Sequence, residues 1–386
     1  MDNKRRTAFQ FIILLGIVSL FGDITYEAAR SVTGPYLSVL GASAFIVGLV
    51  AGLGEFLGYA LRLASGYIAD RTRAYWPITI IGYGLILSIP MLAFAGYWQV
   101  AAFLIICERV GKAIRTPARD AMLSHATKQV GRGWGFGIHE ALDQVGAIVG
   151  PLIFSAVFFL KGDYQDGFAI LWIPAFLTLA ILLMVRKKVP SPQKLETSEK
   201  EHTDENSRLP KIFWLYALFI FLSVAGFANF QIISYHFKVK SIVTDAQIPL
   251  LYAIAMGVDG LAALIIGKAY DKIGLKVLIT IPLLTIAIPI FAFSYNYSFA
   301  VTGVLLWGTV MGIHETIMRA AIADLIPTGR RGFVYGVFNI IYGISWLIGS
   351  TLMGLLYTID PFLIMPFVIF MELISIPVFL AVYRRK

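Results

Sequence analysis

Six ionisable side chains crowd the stretch CERVGKAIRTPARDAM, which runs from Cys107 to Met122: Glu108, Arg109, Lys112, Arg115, Arg119 and Asp120. Glu108, Lys112, Arg115 and Arg119 are spaced by four, three and four residues, which aligns them along one helix face. A face carrying both signs can bind a polar solute. It can equally tie its helix to the neighbours, and for Arg115, Arg119 and Asp120 both readings stand.

Three further sets carry related chemistry. GDITYEAAR places Asp23, Glu27 and Arg30 on one face, and GIHEALDQVGAIVGP places His139 and Asp143 one turn apart with Glu140 beside them. GIHETIMR repeats the His-Glu pair at His314 and Glu315, with Arg319 one turn beyond Glu315. A carboxyl taken out of water favours its neutral form, so it can load and release a proton as its access to water alternates. Asp23 and Glu27 lead the proton-coupling candidates, with Glu140 and Asp143 behind them; a fixed ion pair to Arg30 or to the basic residues of 107–122 is the alternative.

Histidine is the side chain that titrates most readily near neutral pH. We assign His139, His314, Glu315 and Arg319, together with Glu108, Arg109 and Lys112, to substrate handling, with simple helix-to-helix bonding as the competing reading. A metal site is not expected, because adjacent His314 and Glu315 point about 100° apart on a helix and no HExxH pair or cysteine set accompanies them. No other cofactor is implied either.

The elements that must position these groups are membrane spans. Of 386 residues 58% are hydrophobic and 14% charged, and the mean hydropathy is +0.77, far from the composition of a soluble domain. A hydrocarbon core of about 30 Å takes about 20 apolar residues per helix. Such runs recur near 8–37, 43–69, 75–95, 98–123, 133–160, 167–186, 211–237, 247–270, 275–294, 298–324, 332–358 and 361–383, spans 1 to 12 of an all-α integral membrane protein. Glu108 and Arg109 then lie deep in span 4, and Arg119 and Asp120 near its inner mouth. Glu55, Arg62, Asp259 and Glu372 stand as isolated polar residues in other spans, where packing or snorkelling is expected for all but Glu55. Trp98, Trp172, Trp214 and Tyr297 are expected at the interfaces, while Tyr26, Phe136, Tyr235 and Trp346 are candidates for either a cavity wall or the core.

The net charge of +9 is an orientation signal, not a nucleic-acid footprint. Lys4, Arg5, Arg6, Arg71, Arg73, Lys128, Arg132, Arg186, Lys187, Lys188, Lys272, Lys276, Arg330, Arg331, Arg384, Arg385 and Lys386 fall on one side, and the other offers little besides Lys161, Lys238 and Lys240, which places both termini in the cytoplasm of a cell with this chain in its inner membrane. The basic start and apolar run at the N-terminus lack a small-residue cleavage site, so they read as a retained first span. Cys107 is the single cysteine, which excludes an internal disulfide.

From about Arg186 to Lys211 the chain turns to RKKVPSPQKLETSEKEHTDENSRLPK, a polar linker without apolar periodicity. It divides the chain into an N-terminal six-helix bundle (1–188), a cytoplasmic linker (189–210) and a C-terminal six-helix bundle (211–386). The halves echo one another at a shift of about 200 residues: Gly66, Asp70 and Arg71 answer to Gly267, Asp271 and Lys272, the run Arg132-Gly133-Trp134 answers to Arg331-Gly332-Phe333, and Gly150 answers to Gly349. Two pseudo-symmetric bundles, related by an axis along the membrane normal with a cavity between them, are the expected fold.

These residues resemble the major facilitator superfamily. Its loop signature, Gly-x-x-x-Asp-Arg/Lys-x-Gly-x-Lys/Arg, stands in full at Gly267, Asp271, Lys272, Gly274 and Lys276; after span 2 it is partial, with Arg73 where the second glycine belongs. RVGKAIRTPARDAM resembles a prokaryotic branch rich in efflux-type permeases. Gly137, Gly146, Gly150 and Pro151 match the first part of the superfamily's antiporter pattern, and small residues there permit close helix contact while Gly-Pro permits bending. The resemblance implies a monomeric transporter of a small molecule that alternates access and exchanges it for protons, with import by proton symport as the alternative. It also implies gating roles for Asp70, Arg71, Arg119, Asp271, Lys272, Gly146, Gly150 and Pro151. In that scheme Asp70 latches the cytoplasmic side by bridging to the start of span 11 near Arg330 and to a basic residue at the base of span 4, and Asp271 does the same toward Arg132. A built-in ATPase is not expected, because no Gly-x4-Gly-Lys-Ser/Thr occurs. Asp70→Asn should reach the membrane at normal levels and lose transport; undiminished transport in vesicles would refute the latch.

Overall fold

The computed structural model describes residues 3–127, 129–192, 210–325 and 331–385, without the side chains of residues 3, 132, 319, 323 and 331–333. Nearly all of it is helix. The first half contains α1 (Asn3–Val39), α2 (Ala44–Thr72), α3 (Tyr75–Gly84, continued by two short 3₁₀ turns to Phe94), α4 (Trp98–Thr127), α5 (Arg132–Phe159), α6 (Tyr164–Ile170) and α7 (Trp172–Lys188). The second contains α8 (Lys211–Ala225), α9 (Phe230–Val239), α10 (Gln247–Ile273), α11 (Thr280–Ala292), α12 (Tyr297–Leu325), α13 (Arg331–Ile359) and α14 (Ile364–Arg385).

Among the described residues, 10 stretches are long and apolar enough to cross a bilayer. The crossings nevertheless number twelve. Gln247–Ala292 is a 46-residue stretch that holds two of them, broken at Gly274, and the 30-residue α4 is long enough to cross but too charged to count by apolarity. Spans 6 and 7 are each built from two helices in series, α6 with α7 and α8 with α9.

Arg73 and Gly274, the equivalent positions of the two loop signatures, both have positive φ, 53° and 60°. At Arg73 a side chain must occupy the positive-φ region, at a cost of about 1–2 kcal/mol. Asp70, Arg71, Asp271 and Lys272 are all exposed, and Arg71 donates to the Tyr67 hydroxyl at 2.8 Å. Arg330 lies outside the described residues, as does the side chain of Arg132.

The described helices group into two compact units, each with its own core. One comprises Met1–Arg30 and Ala60–Glu201. Its core joins Phe11, Ile12 and Leu15 of α1, Trp76 and Tyr83 of α3, Met122 and Leu123 of α4, and Leu182 and Val185 of α7. The Trp76 indole, edge-on to Phe11, satisfies its N–H on the Val189 carbonyl at 3.2 Å. Close approach of α3 to α4 depends on Gly82 and Gly111: a Cβ on Gly111 would lie 2.7 Å from the Gly82 carbonyl oxygen.

Pro117 sits inside α4, where it has no N–H to offer the carbonyl one turn back. That carbonyl, of Ala113, instead accepts from the Ser65 hydroxyl of α2 at 2.7 Å, with Gly66 packed against the proline ring. In lipid such a substitute is required, because no water reaches the freed group.

The other unit comprises Ser31–Tyr59 and His202–Lys386, so α1 and α2 contribute to both. The Phe45 N–H donates to Thr358 Oγ1 at 3.3 Å, and the rings of Tyr59 and Tyr342 meet at 4.8 Å. Its centre is aromatic, with Phe227 stacked 5.8 Å from Trp307 and edge-on to Trp346 at 5.7 Å. Phe227 lies in the break between α8 and α9, whose loose backbone groups are taken up locally: the Trp307 indole donates to the Ala228 carbonyl at 2.9 Å, and the Asn229 side chain accepts from the Ile232 N–H at 2.8 Å.

Ser65→Ala should cost about 1–3 kcal/mol in unfolding stability, the penalty of a buried carbonyl left without a donor. In a Pro117→Ala background the same change should cost much less, since an alanine there brings its own backbone N–H. A double-mutant cycle in detergent unfolding checks this, and additive losses would rule out the substitution of one donor for the other.

Candidate functional site

The charged face of α4 folds into the first unit, not toward lipid. Glu108 and Arg115, at 1% and 2% exposure, pair at 3.3 Å, and Arg109 Nε lies 4.0 Å from the other Glu108 oxygen. Arg115 also lies over the Tyr83 ring at 4.8 Å, carried there by the tight α3–α4 crossing. Breaking either side of so desolvated a pair would leave an uncompensated charge.

Tyr26 of α1 collects the remaining cations. Arg109 donates to its hydroxyl. Lys112 Nζ lies 3.9 Å from its ring centroid, with the guanidinium carbons of Arg109 and Arg30 at 4.6 and 5.8 Å. The ring face attracts such charges where water is scarce. Glu27, on the same helix, faces Arg30 at 3.6 Å.

Ser19, one turn before Asp23, is the hub of a second network. Its hydroxyl receives Arg119 Nη1 at 2.8 Å and lies 3.1 Å from the Tyr83 hydroxyl and 3.2 Å from His139 Nε2. A hydroxyl has one donor and two acceptor sites. If it accepts from Arg119 and Tyr83, it donates to His139, which then carries its proton on Nδ1. Arg119 also binds Asp120, through Nε at 3.0 Å and Nη2 at 2.9 Å. Asp143 stands more loosely, 3.8 Å from Arg119 and 3.6 Å from His139, beyond hydrogen-bond range, and its Oδ1 is buried with no hydrogen-bond partner among the described residues.

Asp23 differs from these acids. It is half-buried, its charged neighbours are Lys112, Glu27, Arg115 and Arg119, and it makes no hydrogen bond or ion pair with any described residue. Its position is set by α5. A Cβ on Gly146 would lie 2.6 Å from the Leu20 carbonyl oxygen and 3.0 Å from Asp23 Cβ, and one on Gly150 would lie 2.4 Å from the Ile24 carbonyl oxygen. The two glycines let α1 and α5 cross backbone to backbone at the acid, and Pro151 follows directly inside α5.

Of the residues singled out in the sequence, Asp23, Glu27, Glu108, Arg109, Lys112, Arg119, His139 and Asp143 come together in this unit. Glu140 is exposed on another side of α5. His314 and Glu315 lie in the other unit, bordering a small recess with Tyr59, Phe338 and Tyr342; His314 is buried 4.8 Å from Phe227, and neither of its ring nitrogens has a hydrogen-bond partner among the described residues. The side chain of Arg319 is outside those described. Trp346 belongs to the aromatic core. Sequence reasoning missed Ser19 and Tyr83. The first had a signal, its position one turn from Asp23; Tyr83, a lone hydroxyl in an apolar span, had none.

A family model described as Major Facilitator Superfamily matches residues 12–350 and 231–385. An uncharacterised protein of Mycobacterium tuberculosis is 41% identical over 382 residues, covering 97% of this chain and 93% of the relative. An uncharacterised MFS-type transporter of Methanocaldococcus jannaschii is 28% identical over 362 residues, covering 91% of this chain and 89% of the relative. Among solved structures, the nucleoside transporter NupG matches with a TM-score of 0.71 at 13% identity, covering 97% of this chain and 100% of that one, a likeness of fold alone.

Gly146→Ala must push α5 away from a backbone carbonyl, so it should destabilise the protein by about 1–3 kcal/mol. The measurement is thermal unfolding in detergent beside Gly137→Ala, where a Cβ meets nothing within 4 Å. Equal behaviour of the two variants would contradict the close crossing.

Proposed function

The chain belongs to the major facilitator superfamily of membrane transporters, and from that premise we propose that it is a proton-coupled secondary transporter exporting a small organic molecule in exchange for protons. One observation carries the reading: Asp23 is the acid of the first unit's polar cluster that has no direct partner among the described residues, while Glu108, Glu27 and Asp143 each face a cation. An acid held by an arginine has little reason to change protonation, whereas one with Lys112 in its field and no fixed bond can exchange a proton with water or with substrate.

In this scheme Asp23 is the principal proton carrier, Asp143 and His139 pass protons through the Ser19 network, and Lys112 competes with the proton for Asp23. Glu27 and Glu140 are secondary carriers. Glu108, Arg109 and Arg115 form the rigid frame, with Tyr26 as the face that a substrate meets, and His314, Glu315 and Arg319 supply the second unit's share of substrate contacts. Both signs of charge are on offer, so the substrate's own charge stays open. The antiporter-like run of Gly146, Gly150 and Pro151 supports exchange, the two loop signatures at Asp70 and Asp271 support gating, and the basic loops support cytoplasmic termini in the inner membrane.

The test is transport into proteoliposomes under an imposed pH gradient, screened with cationic, anionic and zwitterionic compounds and read by a pH dye in the lumen. Movement opposite to protons is expected, with Asp23→Asn abolishing the dependence on the gradient while sparing substrate exchange at equilibrium. Movement in the proton's direction would select import by symport, and transport indifferent to the gradient in the unmodified protein would remove the coupling role of Asp23.

A further inference from the structure

Glu372 stands near the middle of α14, about 12 Å of helix from Ile364 and about 20 Å from Arg385 at about 1.5 Å per residue. Its exposure is 0%. Isolated acids in a span normally meet a cation, yet none stands against Glu372 among the described residues. Its Oε2 lies 3.3 Å from the Ser375 hydroxyl, and that hydroxyl also donates to the Glu372 backbone carbonyl at 2.8 Å. Its Oε1 is buried with no partner at full hydrogen-bond geometry among the described residues, and the Ser223 hydroxyl of α8 stands beside the carboxyl as its nearest donor.

The elements packed on α14 are α8, α11, α13 and the short turns Gly274–Ile279 and Pro361–Leu363. Their cations are Lys211, the first residue of α8, Arg331, the first of α13, and Lys276, which lies over the Tyr383 ring at 5.7 Å; Arg384 and Arg385 end α14 itself. Asp360 caps the turn before α14 at its other end. The remaining titratable groups on these elements are the phenols Tyr216, Tyr335, Tyr342, Tyr357 and Tyr383. Tyr216 donates to the Met318 carbonyl, Tyr357 bonds His236 and Tyr383 lies under Lys276. Among the described residues, nothing charged faces Glu372 at its own depth.

What Glu372 does face is the break in span 7. A Cβ on Gly226, which ends α8, would lie 2.6 Å from Glu372 Oε1. The end of α8 presents carbonyl oxygens, a site that repels a negative charge and welcomes a donor. Phe227, the next residue, is clamped by Trp307, Trp346 and His314.

We propose that Glu372 is a proton-binding carboxyl of the second unit, and that gain or loss of its proton governs the break in span 7 at Gly226. With the proton on, the carboxyl is neutral and its O–H can donate toward the end of α8 or Ser223. With the proton off, the carboxylate opposes the α8 carbonyl end, and the break and Phe227 move together. This site lies in a different unit from Asp23 and does not depend on the coupling scheme above.

The experiment needs no substrate and no gradient. The full chain in lipid nanodiscs is treated with dicyclohexylcarbodiimide, an apolar reagent that consumes protonated carboxyls. The acid proton passes to a carbodiimide nitrogen while the carboxylate oxygen adds to the central carbon, and the O-acylisourea rearranges to a stable N-acylurea. Peptide mass spectrometry, normalised for reagent decay, should find the adduct on Glu372, falling several-fold between about pH 6 and about pH 9 and absent in Glu372→Gln. Tryptophan fluorescence should change over the same range, through Trp307 and Trp346, and that change should vanish in Glu372→Gln. Should Glu372→Gln not accumulate, Glu372→Asp, with its carboxyl withdrawn by one methylene, should keep the adduct and displace its pH midpoint. An unlabelled Glu372, labelling indifferent to pH, or a fluorescence change that survives in the Gln variant would each overturn the proposal.

Discussion

The bilayer interior offers no hydrogen bonds, so every polar group carried into it must find its partner inside the protein or face an aqueous path. The fold is arranged around that constraint. Where Pro117 removes a donor from α4, Ser65 of α2 replaces it; where span 7 breaks, Trp307 and Asn229 take up the loose backbone groups. The same rule governs the charges. Glu108, Arg109 and Arg115 are locked together and to Tyr26, which makes a charged helix tolerable in a membrane. Two acids without a cation of their own, Asp23 and Glu372, are given the principal proton chemistry.

Helix proximity is the second determinant. Gly146 and Gly150 bring α5 against the backbone of α1 at Asp23, and Gly82 and Gly111 bring α3 against α4 so that Tyr83 meets both Arg115 and the Ser19 network. Small residues thus do more than pack. They set which polar groups share a neighbourhood, and a transporter that rearranges its helices must do so around these contacts.

Much of the architecture was legible before any coordinates. The runs read as spans coincide with the twelve crossings, α4 by its length and the others by apolarity too, because hydrocarbon thickness imposes one length scale on every span. At Arg73, where the partial loop signature lacks its glycine, the backbone has positive φ as it does at Gly274. The site was legible by membership but not by wiring. Helix periodicity put Glu108, Lys112, Arg115 and Arg119 on one face, yet it had no means of telling that Glu108 and Arg115 bind each other while Arg119 turns to Ser19 and Asp120. Glu372 looked like an incidental polar residue, since its significance lies in having hydroxyls but no cation beside it among the described residues.

By itself, then, the chain's order of residues determined that this is a membrane protein of two matched halves, which helices cross the bilayer and which faces carry charge. Those properties follow from local composition and from the fixed rise and period of a helix. Tertiary structure decided which acids stand apart. The pairs Glu108–Arg115 and Glu27–Arg30 lie within single helices and follow the helix period, whereas which acid is left over is settled by ångström-scale distances between helices remote in sequence.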